Sequence, residues 1–443
     1  MTARARRRRK RTIATLVSTV LLLIAAFAVV AVGALTLLDS EEGEAVAVDE
    51  REVITLPDTP NAMLAVSDDA GRLTSLVVAT LDPTGEGGSI VTVPVNADAN
   101  AGLATEVVPL RSVFDPDDVQ PLRLALEGML AITLERADTV GAAELADLVE
   151  PLTPVDVQLP ENVVDSDSDG RGVVARKGDR TLRAVVAGDV LAAHNRAGKS
   201  YNHHDVDVEV WSALADEAPA LEPRDDPEVP PETTLELFAD LWRGEVDVRD
   251  LAISVAVADP DGPNIDSVIV DRRDALLVFA QVSPSLVSKP NQALSFRLVS
   301  RFNDEQLDAS DGLFESNAEV ARRFIGELLF FQGNLVSADT NAAVEGAEEV
   351  TLVEVADARF VDDLEELADA TFGASEVVEA TRLIDGVDVV VTLGESFIER
   401  KVVGDLAALG SSTEDAGEPA DDTDESEPVD DADATDDTVA TDE

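Results

Sequence analysis

The feature that most constrains this chain is a run of 26 uncharged residues, at positions 13–38, directly after a basic cluster. A helix rises about 1.5 Å per residue, so this run reaches roughly 39 Å and covers a hydrocarbon core of about 30 Å. The run therefore predicts one transmembrane helix over residues 12–38. The Arg and Lys residues at positions 4–11 predict that residues 1–11 are cytoplasmic and that the rest of the chain is extracytoplasmic.

A cleaved signal peptide is the competing interpretation of the same run. The apolar region of a signal peptide spans about 7–15 residues, which is much shorter than this one. The length favours an uncleaved anchor. The expected localisation is the cell membrane, with a single span and the C-terminal bulk outside the cytoplasm.

Charge excludes one class of partner. All 90 Asp and Glu residues and 26 of the 33 Lys and Arg residues follow the span, so the outer part carries a formal charge of −64. Binding a nucleic-acid backbone needs basic patches, so no nucleic acid is expected as a partner. The chain has no cysteine, and an exported fold without disulfides must be stabilised by core burial.

The stretch from residue 58 to 288 is predicted to be an α/β domain, which follows an acidic spacer at 39–57. Two β-branched runs at 73–81 and 89–95 flank a Pro/Gly turn and predict a β-hairpin whose strands are covered on both faces. Further strands are predicted at 62–66, 155–159, 181–186, 251–257 and 267–270, helices at 119–133, 139–152, 189–194, 205–213 and 233–242, and an apolar element at 275–282.

A second unit is predicted over residues 293–400. Its strands are expected at 294–301, 334–339, 349–356 and 387–393, with an extended stretch at 377–384 and helices at 318–331 and 361–372. The order β-α-β-β-α-β indicates a small two-layer sandwich of the split βαβ type. From Gly410 onward the chain has 15 acidic and no basic residues, so the tail at 411–443 is predicted to be disordered.

Several strings in the second unit resemble the accessory C-terminal domain of the LytR-CpsA-Psr family of envelope proteins. They are LSFRLVSRF, VARRFIGELLFFQGNLVSADT, VTLVEVADARFVDDLEELADATFG and IDGVDVVVTLGESF, and the resemblance covers about residues 293–400. Two strings in the first unit are similar to the catalytic domain of the same family. They are GRLTSLVVATLDPTGEGGSIVTVPVN and DTVGAAELADLVEPLTPVDVQLPENVVD.

The resemblance implies a function, because family members transfer wall glycopolymers from polyprenyl-pyrophosphate carriers to peptidoglycan. Guanidinium groups and Mg²⁺ on a carboxylate are the groups that hold a pyrophosphate. Arg72 occupies the family's first basic position, but the Asp expected two residues later is Thr74 here. The Arg-Asp pair expected after Pro94 is Val95-Asn96.

In the later arginine-rich stretch of the family pattern only Arg196 is a candidate. The resemblance thus implies Arg72 and Arg196 as substrate-binding residues, and it implies no confident catalytic residue because Thr74, Val95 and Asn96 depart from the pattern. No cofactor is expected, except Mg²⁺ if the chain is an active transferase.

The leading hypothesis is a non-catalytic, membrane-anchored envelope protein that binds a wall polymer or assists an active transferase of this family. The alternative is a working transferase or pyrophosphatase in which Arg72, Arg111, Arg123 and Arg196 converge as a substitute cluster beside an apolar cavity. A third possibility is an acidic spacer or adhesin whose tail binds cations.

One short string has the spacing of a calcium loop. Asp165, Asp167 and Asp169 precede Gly170 in a D-x-D-x-D-G pattern, in which carboxylates at alternate positions converge on a cation. The twelfth position, which usually carries a Glu, is Arg176. An acidic surface turn is the favoured interpretation, and the three aspartates remain the candidate metal ligands.

Histidine and tryptophan give weaker signals. His194, His203 and His204 could bind a transition metal, but adjacent histidines on a helix point apart, which favours structural or solvent-facing roles. Trp211 and Trp242 lie among apolar residues of predicted helices and are expected to pack in a core.

Overall fold

The computed structural model describes residues 51–103, 107–167, 170–194, 203–224, 229–256, 267–287, 293–310 and 312–403. The predicted transmembrane helix at 12–38 and the acidic tail at 411–443 lie outside these residues, as does most of the predicted spacer. Within the described part of the chain, no helix is both long and apolar enough to cross a membrane.

The chain divides into a small unit, Met1–Ile54 with Thr381–Leu383, and a large unit, Thr55–Ala380 with Ile384–Glu443. The small unit contains strand β1, Val53–Ile54. In it the Leu383 amide donates to the Glu52 carbonyl at 2.8 Å, and Arg382 Nε lies 3.2 Å from Glu52 Oε2.

The first α/β region of the large unit, residues 55–287, alternates strands and helices. In chain order its elements are β2 (Asn61–Ser67), β3 (Leu73–Leu81), β4 (Gly88–Thr92), α1 (Leu110–Val113), α2 (Gln120–Leu130), β5 (Arg136–Val140), α3 (Ala142–Val149), β6 (Val155–Leu159), β7 (Val163–Asp167), β8 (Gly170–Ala175), β9 (Gly178–Leu182), α4 (Ala184–Leu191), α5 (His204–Asp216), α6 (Thr234–Leu241), β10 (Val246–Asp250), β11 (Ile253–Val255), β12 (Val268–Val270) and α7 (Arg272–Val282).

The main sheet of this region has five strands in the order β10-β4-β3-β2-β5. Strand β3 is antiparallel to β2 and β4, while β5 is parallel to β2 and β10 is parallel to β4. Four strands therefore run in one direction and β3 runs against them. The predicted hairpin at 73–81 and 89–95 is confirmed as β3 and β4.

Both faces of this sheet are covered, as the apolar strands predict. Alternate residues of β2 enter two different cores: Leu64 packs with α3, α4, α5 and α6, while Met63 packs with α1, α2 and α7. Trp211, Phe238 and Trp242 are fully buried in the first core, with neighbouring ring centroids 6.1 and 5.9 Å apart. The expectation that both tryptophans pack in a core is confirmed.

The second α/β region, residues 293–403, forms a sheet of its own. Its elements are β13 (Ser295–Val299), α8 (Asp304–Asp308), α9 (Asn317–Phe330), β14 (Asn334–Asp339), β15 (Thr351–Val355), α10 (Val361–Phe372), β16 (Ser375–Glu379), β17 (Leu383–Ile384), β18 (Val389–Thr392) and a helix at residues 395–403, termed α11.

The sheet order β14-β13-β18-β15-β16 differs from the predicted split βαβ arrangement. Strands β13 and β14 are direct parallel neighbours, as are β15 and β16, and β18 lies between the two pairs. The predicted extended stretch at 377–384 contains part of β16. The charged positions Glu376 and Glu379 on this exposed edge strand hide the alternation that a half-buried strand would show.

Helix α7 belongs to the cores of both regions. Its Ala275 and Phe279 pack in the first region, whereas Leu276, Leu277 and Ala280 pack against the second. This double burial explains why residues 275–280 are apolar on all sides. The predicted domain limits 58–288 and 293–400 stay a prediction.

One predicted strand in the first region is wrong, and strand β10 is missing from the prediction. Residues 181–186 are predicted to be a strand, but β9 ends at Leu182 and α4 begins at Ala184. Close helix packing outweighs the β propensity of Val185 and Val186, since a Cβ on Gly188 would lie 2.4 Å from the Ala142 carbonyl. Strand β10 is not predicted, because only two of its five residues are apolar and the other three are charged.

Candidate functional site

The carboxyl ends of four strands define the candidate site, termed the rim. Strand β2 ends at Ser67, β4 at Thr92, β5 at Val140 and β10 at Asp250, and β3 begins at Leu73 beside them. In open α/β sheets ligands bind in the crevice outside the carboxyl ends of the strands. The rim also carries the sequence-predicted positions Arg72, Thr74, Val95 and Asn96.

Arg72 is already paired with a carboxylate. Its Nε donates to Asp68 Oδ2 at 2.6 Å and an Nη lies 2.5 Å from the same oxygen. Asp68 Oδ1 also accepts from the backbone amides of Ala70 and Arg72 at 3.0 and 2.8 Å, which closes the turn between β2 and β3. Asp68 is 6 % exposed, so the guanidinium neutralises a nearly buried charge.

The three positions at which the sequence departs from the family pattern present no charge at the rim. Thr74 is buried, and its hydroxyl donates to the Val66 carbonyl at 3.1 Å. Val95 is buried in the core that contains α1 and α2. Asn96 is fully buried, and its carbonyl accepts from the Val268 amide at 3.2 Å.

The other candidate arginines divide between the two ends of the sheet. The backbone amide of Arg111 donates to Val95 O at 2.8 Å, which places α1 at the rim. Arg123 instead binds Glu127 Oε1 at 3.1 Å and the carbonyl of Leu134. Leu134 lies two residues before β5 and next to the start of β2, so Arg123 is about 20 Å from the rim along a seven-residue strand. Arg196 lies outside the described residues.

A buried polar cluster on α5 was not found from the sequence. Its members are His203, which directly precedes the helix, and Asp207, with Trp211 one turn further; Asp207 and Trp211 form hydrogen bonds with Ser75 of β3. The spacing i, i+4, i+8 places these three side chains on one helix face, and that spacing is the signal that could have revealed the cluster. Trp211 Nε1 donates to the Ser75 hydroxyl at 3.4 Å.

Asp207 is the buried acid of this cluster. Burial raises its pKa well above 3.8, and a hydrogen bond with the Ser75 hydroxyl only partly opposes that shift. No described residue donates to its Oδ1. A carboxyl in this setting favours the neutral acid, because no cation among the described residues compensates the cost of burying its charge.

The adjacent histidines contact different elements, as predicted for neighbours on a helix. His203 Nδ1 lies 3.2 Å from Glu161 Oε1, whereas His204 Nε2 lies 2.6 Å from Asp250 Oδ1 at the end of β10. Burial lowers the pKa of His203, and Glu161 opposes this shift. Both imidazoles are buried, which agrees with a structural role.

More carboxylate side chains lie near the rim. Burial, and then the charges of Asp165 and Asp69, raise the pKa of Asp189 on α4. Asp165 Oδ1 also accepts from the His194 amide at 3.3 Å. These carboxylates make this end of the sheet unfavourable for a polyanion.

The predicted calcium loop is only partly described. Asp165 and Asp167 lie in β7, which pairs with β8, and Asp169 lies outside the described residues. Within the described ranges no three His, Cys, Asp or Glu side chains are placed to hold a metal ion. The site at Asp165, Asp167 and Asp169 stays a prediction.

Of the comparisons with known proteins, the one with solved structures gives matches. No protein-family model matches the chain, and no curated protein matches it. Among solved structures, TagV of B. subtilis matches with a TM-score of 0.36 and 17 % identity, covering 53 % of this chain and 100 % of TagV. A structure of TagT bound to LI-WTA has a TM-score of 0.36 and 18 % identity, covering 50 % of this chain and 88 % of that one.

A third similar structure is the LytR-CPS2A-Psr family protein YwtF (TagT) with bound octaprenyl pyrophosphate lipid. Its TM-score is 0.33 at 18 % identity, and the match covers 49 % of this chain and 86 % of that one. The structural neighbours thus include proteins of this family, matched over about half the chain.

Proposed function

We propose that this chain is a membrane-anchored, extracytoplasmic envelope protein that binds a cell-wall polymer, or assists an active glycopolymer transferase, without catalysing transfer itself. The polymer context rests on the sequence resemblance to the LytR-CpsA-Psr family. The localisation rests on the apolar run at residues 13–38 and its basic flank.

The side chains at the rim support the proposal that the chain does not catalyse transfer. A polyprenyl pyrophosphate needs several cationic groups, because its charge is spread over many oxygens. At the rim the guanidinium of Arg72 already forms an ion pair with Asp68, and Val95 is an apolar core residue. The charges of Asp165 and Asp69, which raise the pKa of Asp189, would also repel an anionic carrier.

One observation favours the alternative, an active transferase. Arg72 and the α1 segment that carries Arg111 lie at the same end of the sheet, so two of the four arginines of the substitute cluster share the rim. Arg123 does not join them. This alternative would use Mg²⁺ to bring the pyrophosphate to the acidic groups.

The positive part of the proposal is tested by co-sedimentation with cell walls. The full chain in detergent is mixed with peptidoglycan that retains its polymer, and separately with peptidoglycan chemically stripped of polymer. We expect the chain to pellet with the first and to stay in solution with the second. Equal pelleting with both, or none with either, would overturn polymer binding.

The negative part is tested by an activity measurement on the same preparation. The chain is incubated with a polyprenyl-pyrophosphate-linked glycan, Mg²⁺ and peptidoglycan, and covalent attachment of glycan is measured. We expect none above a protein-free control. Attachment that disappears in the Arg72→Ala variant would establish the transferase alternative instead.

A further inference from the structure

The second α/β region contains a groove of about 800 Å³ that has no part in the proposed function of the rim. Its walls come from α8, from the loop around Glu345 and Ala347, and from α11. The groove combines carboxylates with an apolar floor formed by Ile398 and Val402.

Gln306 of α8 holds the three walls together. Its Nε2 donates to the Ala347 carbonyl at 2.7 Å and to Glu395 Oε1 at 2.6 Å. Its Oε1 accepts from the amides of Ala347 and Asn303 at 2.8 and 3.1 Å. Gly346 permits this contact, since a Cβ there would lie 2.3 Å from Gln306 Oε1. The groove is therefore formed before any ligand binds.

One face of α11 lines the groove. Residues 395, 398, 399, 402 and 403 follow the i, i+3, i+4, i+7, i+8 pattern of a single helix face. The opposite face is anchored, because Phe397 is fully buried and Lys401 Nζ donates to Glu327 Oε1 at 2.9 Å. The groove-facing side presents Val403 with 66 % of its surface exposed.

The carboxylates of the groove lack cationic partners. Glu305, Glu345 and Glu399 are exposed, and Glu395 receives only the amide of Gln306. None of these four glutamates forms an ion pair with any residue that the structure describes. This contrasts with Asp271, Asp339 and Asp357 nearby in the chain, each of which is paired with an arginine.

We propose that this groove binds a basic, amphipathic peptide segment of a partner protein. Lys or Arg residues of the segment would approach the four glutamates, while its apolar residues would cover Ile398, Val402 and Val403. A face of nine helical residues spans about 12 Å, which accommodates two to three turns of a helical peptide.

Charge complementarity selects this occupant over the others. The chain's own tail at 411–443 has no basic residue, and the outer part of a second copy carries −64, so both are repelled. A single divalent cation is disfavoured, because no three acidic or His side chains of the described residues are placed around one metal position. A segment that carries both spaced cationic residues and apolar residues matches the glutamates and the apolar floor of the groove.

The test measures binding of a fluorescein-labelled 14-residue peptide built from Leu-Lys-Lys-Leu repeats to the full chain in detergent at physiological salt. The groove variant is Glu305→Gln/Glu345→Gln/Glu399→Gln. The matched control is Asp363→Asn/Glu365→Gln/Glu376→Gln, which removes the same charge from exposed positions elsewhere in the region. We expect the groove variant to weaken binding at least tenfold and the control less than twofold.

A second arm tests the apolar floor with a peptide in which Ser replaces Leu, and we expect its binding to be at least tenfold weaker. Equal weakening by the two protein variants would mean general attraction to an acidic chain and would overturn the proposal. Equal binding of the Ser peptide, or no binding of the Leu-Lys peptide, would also overturn it. None of these outcomes depends on whether the rim binds a wall polymer.

Discussion

The rim and the groove both contain several carboxyl groups, but the partners and the burial of these groups differ between the two places. At the rim Asp68 is paired with Arg72, Asp250 with His204, and Asp207 is buried beside Ser75. In the groove the glutamates lie around an apolar floor and meet no cation among the described residues. Carboxyl groups that are paired with a cation or buried in a core are not available to a ligand, whereas unpaired carboxylates beside exposed apolar surface are.

The largest expected effect is the loss of stability when the cationic partner of a buried carboxylate is removed. Asp274 is 2 % exposed and accepts from Arg322 Nε at 2.7 Å and from the Ala252 amide at 2.7 Å. Arg322→Ala should lower the free energy of unfolding by about 3 kcal/mol, because it leaves a buried charge unpaired. Urea denaturation followed by circular dichroism measures this.

The matched control for Arg322→Ala is Arg301→Ala, which removes an exposed partner of Asp339 in the same region. It should cost no more than about 1 kcal/mol. If both variants lose the same stability, burial does not distinguish the pairs and the comparison fails.

The next effect concerns the groove. Gln306→Ala removes four hydrogen bonds that join α8, Ala347 and Glu395, and it should lower the free energy of unfolding by roughly 2 kcal/mol, since water can replace part of each bond. It should also weaken binding of the Leu-Lys peptide. Gln281→Ala, which removes one bond to Thr340, serves as the control and should leave peptide binding unchanged.

A smaller effect, with a defined pH dependence, is expected at Asp207. At pH 4, near the ordinary pKa of 3.8, Asp207→Asn should differ from the parent by less than about 1 kcal/mol. Because the pKa is raised in the folded state, the parent must lose stability relative to the variant as pH rises from about 4 through the folded pKa. Paired urea titrations from pH 4 to 8 measure this difference. A difference that stays constant over the range would mean that Asp207 is charged or exposed.

The smallest expected effect is at Arg72. Asp68 keeps its two backbone amide donors when the guanidinium is removed, whereas Asp274 keeps one, so Arg72→Ala should lower the free energy of unfolding by only about 1 kcal/mol. It should not change the response to farnesyl pyrophosphate, because the guanidinium already neutralises Asp68. Loss of a pyrophosphate response in this variant would show that the rim binds anions after all.

Local pattern predicted much of the fold. The runs that became β3, β6 and β14 are short, β-branched and bounded by turn residues, and α10 shows a clear helical period. Predicted helices at 119–133, 205–213, 233–242 and 318–331 are confirmed, with ends that differ by up to three residues. The apolar residues whose spacing predicted these strands and helices are also the residues that stabilise them.

Elements that depend on distant contacts were not predictable in this way. Helix α4 forms over Val185 and Val186 because Gly188 lets it approach α3, and β10 exists because it pairs with β4. In the candidate site, too, the positions that depend on distant contacts could not be predicted. Topology gathers Arg72, Thr74 and Val95 at one edge, as the family resemblance implies, but the burial of Asp207 depends on how α5 packs against β3.

The most direct test of the non-catalytic rim is a thermal shift of the full chain in detergent with farnesyl pyrophosphate, with and without Mg²⁺, and with farnesol as the control. A ligand at about a hundred times its Kd stabilises a fold by roughly 2.7 kcal/mol, which moves the melting temperature by a few degrees. We predict no shift under any of these conditions. A rise of several degrees that requires Mg²⁺ and does not occur with farnesol would contradict the account and would establish a carrier site at the rim.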